Sequence, residues 1–270
     1  MQNKIEELNR FNINLENKVK EETKKNIQTE LKLFEQSKMA SMGEMIGNIA
    51  HQWRQPLSII STIATGSKFQ KDMDLLTTEM FDKNMEDIND NVQYLSRTIN
   101  DFKNFIKGER IKKLFNLNDD IHSFLHLVQG SIKNHEIDVV LDLDDKIQIV
   151  GYPNELIQCF INIYNNSKDA FKEVQGENKF IFIKTYLDND KVHIIFKDTA
   201  QGIPKDILPK IFDPYFTTKH QSQGTGLGLH MSYKLIVEGM EGTIESKNVD
   251  FNYKGKQYKG AQFEIVLTIE

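Results

Sequence analysis

Cysteine is almost absent from this chain: Cys159 stands alone among 270 residues. That excludes a disulfide framework and any site built from several thiolates, and predicts a buried, reduced thiol. No apolar run approaches the ~20 residues of a membrane-spanning helix, and the N-terminus has no hydrophobic stretch of signal-peptide type. Positive charge is not in excess. Its 34 Lys and Arg against 39 Asp and Glu leave a formal net charge of −5, which supplies no field to gather nucleic acid. No internal repeat of solenoid type is present. Glycine and proline are missing from residues 1–38, so nothing there interrupts a helix. What remains is 39% apolar and 27% charged, enough for one large domain or two ordinary ones with extensions. The expected location is cytoplasmic, alone or as the cytoplasmic part of a membrane-bound protein.

Residues 1–38 are rich in Glu, Lys, Asn and Gln. Ile5, Leu8, Asn12, Leu15 and Val19 mark one heptad register, and Ile27, Leu31 and Phe34 another. This predicts a parallel coiled coil with a register slip near residues 20–26, able to pass rotation or sliding downstream. The next segment, 39–110, holds two further seams. Met39, Met42, Ile46, Ile49, Trp53, Pro56, Ile60 and Ile63 alternate at spacings of three and four. His51 is off that seam, about 180° round the helix from Met42 and Ile60, with Gly47, Arg54, Gln55 and Ser58 near it. On its own it is a surface histidine. The first helix is expected to fade at Gly66 and Ser67, with Asp74, Thr77 or Thr78 capping the next. That second helix carries Phe81, Met85, Ile88, Val92, Leu95, Ile99, Phe102 and Ile106. One antiparallel hairpin cannot enclose both stripes, so a homodimeric four-helix bundle is expected.

Gly108–Lys113 reads as the break before a last domain, 111–270. There the sequence predicts a helix at 118–131, strands at 137–143 and 147–150, and a helix at 154–174. An antiparallel pair follows at 180–187 and 192–197, turning on Asp188-Asn189-Asp190. The remainder is a helix at 227–238 and strands at 242–246 and 261–268, with 248–259 a polar loop between them. The fold class is therefore multidomain: an all-α coiled coil and dimeric bundle, followed by an α+β layer with helices on one face of a mixed sheet.

Four clusters in this last domain carry chemistry. Asn162 and Asn166 lie one turn apart on a helix, with amide oxygens suited to a hard cation such as Mg²⁺; equally, each suits a surface or cap. Lys168 and Asp169 follow them. Asp198 ends a strand and can accept from an exocyclic amine, with Gly202 and Ile203 in the turn beyond it. Phe212 and Phe216 flank a proline turn that leads to Lys219, a flap with a cation at its tip. Gly224-Thr225-Gly226-Leu227-Gly228-Leu229 runs into a helix, freeing backbone N–H groups for an anion, though such a turn is also an ordinary loop.

In this order and spacing, the four clusters resemble the N, G1, F and G2 boxes of the Bergerat (GHKL) ATP-binding fold. The His51 segment, Ala50-His51-Gln52-Trp53-Arg54-Gln55-Pro56-Leu57, narrows the resemblance to sensor histidine kinases. The resemblance covers about residues 39–269. It implies that His51 is phosphorylated by ATP and passes the phosphoryl group to an aspartate of a response regulator. It implies that Asn166, with Asn162 nearby, holds Mg²⁺ and that Asp198 reads adenine. Lys219 and the 224–228 glycines would hold phosphates, and the N-terminal coil would bring input from an upstream sensor. Two positions depart from the family's usual pattern. Gln52 stands where an acid is common and cannot be a general base at neutral pH; Ala200 replaces a glycine. Gln55, one turn past His51, is expected to place water against the regulator's aspartyl phosphate. The alternative reading is an ATP-binding adaptor acting mainly as a regulator phosphatase. An ATP-driven clamp of the Hsp90 or MutL kind is disfavoured by the histidine-bearing hairpin.

Overall fold

The computed structural model describes residues 2–107, 111–174, 178–218 and 226–269; many side chains of the first helix, those of His51 and Gln52 among them, lie outside the description. Two compact units are distinguished, Met1–Ala40 and Ser41–Glu270. The first belongs to helix α1 (Gln2–Asp72). Within it Phe11, Ile13, Leu15 and Val19 are 50–63% exposed. The side chains of Ile5, Leu8, Ile27, Leu31 and Phe34 fall outside the described residues.

In the second unit α1 does not fade at Gly66 but continues to Asp72. The reason is tertiary. Ser67 is buried, donates to the Ile63 carbonyl at 2.8 Å and accepts from Asn84 Nδ2 at 2.9 Å. Asn84 belongs to α2 (Thr78–Lys107), so packing overrides weak local propensity. Asp74 then turns left-handed at φ 56, and Leu75 N–H reaches back to the Gln70 carbonyl at 2.8 Å. Thr77 caps α2, its Oγ1 accepting from Met80 N–H at 3.2 Å. Pro56 is buried and Trp53, Ile60 and Ile63 half-buried, yet Phe81, Met85, Val92 and Ile99 of α2 remain 38–45% exposed.

Beyond residue 110 the expected break ends in a short strand, β1 (Lys113–Asn116), paired antiparallel with β3 (Gln148–Gly151). Asn116 caps α3 (Leu117–Asn134), accepting from Asn118 N–H at 2.8 Å. The main sheet is mixed, as expected, in the order β2-β4-β5-β7-β6. Here β2 is Ile137–Asp142, β4 Lys179–Asp188, β5 Lys191–Asp198, β6 Thr243–Tyr253 and β7 Lys256–Thr268. Only β2 and β4 run parallel. Helix α4 (Pro153–Ala170) starts on a proline, with Glu155 in its first turn. α5 (Gly228–Lys234) passes into a π turn at Leu235–Gly239. The core is aromatic: Phe124 of α3 meets Phe160, Tyr164 and Phe196 edge-on at 5.8, 6.2 and 6.0 Å. Cys159 is buried against α5, and burial pushes its thiol up to about 12, where it stays protonated.

One expectation is corrected. Residues 248–259 are not a polar loop but the outer half of a long β6–β7 ribbon, paired from Thr243↔Val266 out to Tyr253↔Lys256. Lys254 and Gly255 close it with φ of 48 and 76, as a two-residue I′ turn requires. The ribbon is held by packing that its polar sequence conceals. Phe251 and Tyr253 meet Phe182 at 5.4 and 4.8 Å, Tyr258 meets Phe180 at 5.8 Å, and Lys197 Nζ sits 3.8 Å over the Phe251 ring.

Asp120, in the first turn of α3, has a buried Oδ2 without a hydrogen-bond partner. Burial pushes its carboxyl from 3.8 up to about 7, opposed by Lys113. A raised acid favours the fold while protonated: that stability is fully present below 3.8 and is lost as pH rises through about 7. Asp120→Asn should therefore raise Tm at pH 8, by the equivalent of roughly 4 kcal/mol at most, and change it little at pH 4. Calorimetry at the two pH values checks this.

Candidate functional site

Along β5, Val192, Ile194, Phe196 and Asp198 point to the helix-covered face, so strict alternation delivers a carboxylate into the core. Asp198 is 3% exposed. Its Oδ1 accepts from Ala200 N–H and Ala261 N–H, both at 3.0 Å, and its Oδ2 from Ser167 Oγ–H at 2.9 Å. Burial raises its pKa, and these three bonds oppose the rise.

The two asparagines of α4 differ in what they touch. Asn162 is 5% exposed, and its Nδ2 donates to the Gly228 carbonyl at 2.9 Å and to Ser232 Oγ at 3.0 Å, fastening α5 to α4. Asn166 is half-buried. Its Nδ2 donates to the Asn162 carbonyl at 2.9 Å, which turns the amide oxygen away from the helix backbone. A half-exposed, neutral oxygen donor suits a hard cation that keeps most of its own waters, so the donor set fits Mg²⁺. Lys168 is 3% exposed, with Nζ 3.2 Å from Asn165 Oδ1, and Asp169 pairs with Lys172 at 2.6 Å.

The flap is anchored at both ends. Phe212 meets the Tyr233 ring at 5.8 Å in a tilted arrangement, and its carbonyl accepts from His230 Nδ1 at 2.9 Å, which requires the Nδ1–H form of the ring. Gly226 has φ 64, and a Cβ there would lie 2.4 Å from the Tyr215 carbonyl carbon, so only glycine lets the two backbones cross. Leu227 is buried, while Gly228 and Leu229 open α5. Lys219, Gly224 and Thr225 lie outside the described residues. Gln55 is exposed on α1, the helix that also carries His51 and Gln52. Among the described residues no group of three or more His, Cys, Asp or Glu could hold a metal, and no helix is long and apolar enough to cross a membrane.

Residues 151–270 match the family described as histidine kinase-, DNA gyrase B- and HSP90-like ATPases. Over 238 residues the chain is 30% identical to sporulation kinase E of Bacillus subtilis, covering 84% of this chain and 29% of that protein. It is 29% identical to sensor histidine kinase ZraS of Salmonella typhimurium, covering 86% of this chain and 47% of the relative. The two-component sensor PprA of Pseudomonas aeruginosa is 26% identical, with 86% and 25% covered. Residues 151–270 thus fall within that ATPase family, and over 84–86% of its length the chain is similar to these sensor and sporulation kinases. It spans less than half the length of each of these relatives.

The sequence displays Asn162, Asn166, Asp198 and the glycine turn, but not the residues that steady them. Ser167, His230 and Asn248 carry no motif of their own. Ser167 lies beside Asn166 and His230 just after the glycine turn, and neighbourhood is the only signal either offers. His230→Ala should free the Phe212 segment. Loss of one hydrogen bond worth about 1 kcal/mol should speed tryptic cleavage after Lys210 roughly fivefold. His230→Asn, whose Nδ2 can take the place of Nδ1, should restore the native rate.

Proposed function

We propose that this chain is the catalytic part of a homodimeric protein-histidine autokinase that phosphorylates His51 from ATP and passes the phosphoryl group to a response-regulator aspartate. One observation carries the reading. A buried strand-end carboxylate, Asp198, accepts from Ser167, the residue next to half-buried Asn166, in an ATPase-family domain whose chain also bears the His51 helix.

Asp198 Oδ2 accepts the exocyclic amine of adenine while Ser167 holds the carboxylate in place. Asn166 Oδ1 would hold Mg²⁺, which would offset charge on the phosphates. Lys219 and the 224–228 glycines take the phosphate oxygens, and Phe212 anchors the flap. In the transfer, a neutral imidazole nitrogen of His51 forms the N–P bond in line. The bond from the γ-phosphorus to its bridging oxygen breaks, ADP departs, and the imidazole proton is lost. Gln52 cannot remove that proton, but its amide oxygen can accept from the other ring N–H and fix the tautomer. Phosphotransfer requires the nucleotide domain, 111–270, to approach the hairpin, 39–110. The stripe of Phe81, Met85, Val92 and Ile99, 38–45% exposed in the single chain, supports a second copy as its cover. The coil of residues 1–38 would deliver the upstream signal.

Incubation with γ-labelled ATP and Mg²⁺ should give acid-labile, base-stable label on the wild type. His51→Ala should carry none, and Gln52→Glu should label faster. Label persisting in His51→Ala would refute the assignment. Exposed Gln55, one turn past His51, favours an added phosphatase activity. Gln55→Ala should slow dephosphorylation of the regulator about tenfold or more, the scale of a lost water-positioning group.

A further inference from the structure

The loop after Asp198 is held by a residue far along the chain. Asn248, on β6, makes two hydrogen bonds to a single residue: its Oδ1 accepts from Ile203 N–H at 2.7 Å, and its Nδ2 donates to the Ile203 carbonyl at 2.6 Å. The side-chain amide thus engages both polar groups of one backbone residue, as a neighbouring strand would. Two residues in the left-handed region precede Ile203: Gln201 at φ 66 and Gly202 at φ 79. A Cβ on Gly202 would lie 2.5 Å from Asn248 Oδ1, so the glycine is what admits the clamp. Gln201 N–H donates to the Lys259 carbonyl at 3.1 Å, and Ala261, the β7 partner of Asn248, donates to Asp198 Oδ1. The β6–β7 ribbon therefore grips the Asp198–Ile203 loop at three places.

We propose that Asn248 is a positioning residue for adenine nucleotides: it fixes the loop that fixes Asp198, and so sets affinity and the preference for adenine over guanine. An exocyclic amine is accepted by the Asp198 carboxylate, whereas the guanine oxygen at the equivalent place is repelled by it. That discrimination holds only while the carboxylate cannot shift. Gln201, a residue with a Cβ held in the left-handed region, costs conformational energy, and the loop relaxes unless outside bonds hold it. The outer ribbon that carries Asn248 is tied down in turn by Phe251 and Tyr253 on Phe182. The inference rests on the reading of Asp198 as the adenine acceptor.

The test is calorimetric titration of the whole chain with ADP and with GDP in Mg²⁺ buffer, for wild type, Asn248→Ala and Asn248→Asp. Aspartate has the size of asparagine but sets an oxygen against the Ile203 carbonyl, which separates hydrogen bonding from packing. Both variants should bind ADP at least about tenfold more weakly, the scale of two lost hydrogen bonds, with a narrowed preference over GDP. Native affinity, or equal weakening for both nucleotides with the preference intact, would overturn the proposal. A wild type that does not prefer ADP would instead count against the Asp198 reading. Amide exchange in the nucleotide-free wild type requires no variant to fold: the Ile203 N–H should be protected at least about a hundredfold. Rapid exchange at that amide would overturn the clamp.

Discussion

The structure of the nucleotide domain depends on one buried carboxylate. Asp198 draws donors from three parts of the chain: Ser167 on α4, Ala200 in its own loop and Ala261 on β7. A charge placed this deep is costly unless hydrogen-bonded, and each bond here also fastens a separate element. The helix layer, the strand exit and the ribbon thus meet at one residue. Burial acts to protonate the group and the three donors act to keep it ionised. That balance explains why a carboxylate can sit inside a core whose other inward β5 residues are Val192, Ile194 and Phe196.

The surroundings extend the same logic. Asn162 fastens the first turn of α5 to α4, and His230 on α5 holds the Phe212 carbonyl. Asn166, one turn beyond Asn162, then presents its oxygen from a helix that is fixed on both sides. Rigid elements thus place the donors, while the ends of the flap are pinned at Tyr215–Gly226 and at Phe212–His230. In the hairpin the balance is reversed. Apolar side chains of α2 are left open, Phe81, Met85, Val92 and Ile99 among them.

Much of this was legible in the sequence because it is periodic or local. Alternation in β4 and β5 gave both strands, and Asp188-Asn189-Asp190 marked a turn in which Asn189 is left-handed at φ 52. The strand-end position of Asp198 and the one-turn spacing of Asn162 and Asn166 were equally visible. The outer ribbon was not, because Asn248, Asp250, Asn252, Lys254 and Lys256 disfavour strands by composition. Its stability comes from aromatic contacts to Phe180 and Phe182, some 70 residues earlier. Spacing likewise could not tell that Asn162 turns inward to α5, that Lys168 is buried, or that Ser167, His230 and Asn248 hold the site. Those roles are set by partners distant in sequence. Helix α1 outlasted Gly66 and Ser67 for the same reason, with Asn84 supplying the contact.

The most direct test of Asp198 as the shared node of fold and site is calorimetric titration of Asp198→Asn with ADP and Mg²⁺. An asparagine keeps an oxygen for Ala200 and Ala261 and leaves an amide facing Ser167, so cooperative thermal unfolding should survive. The amide would face the adenine amine donor to donor, and ADP affinity should fall by at least about a hundredfold. A cooperatively folded Asp198→Asn chain that binds ADP as tightly as the wild type would contradict the account.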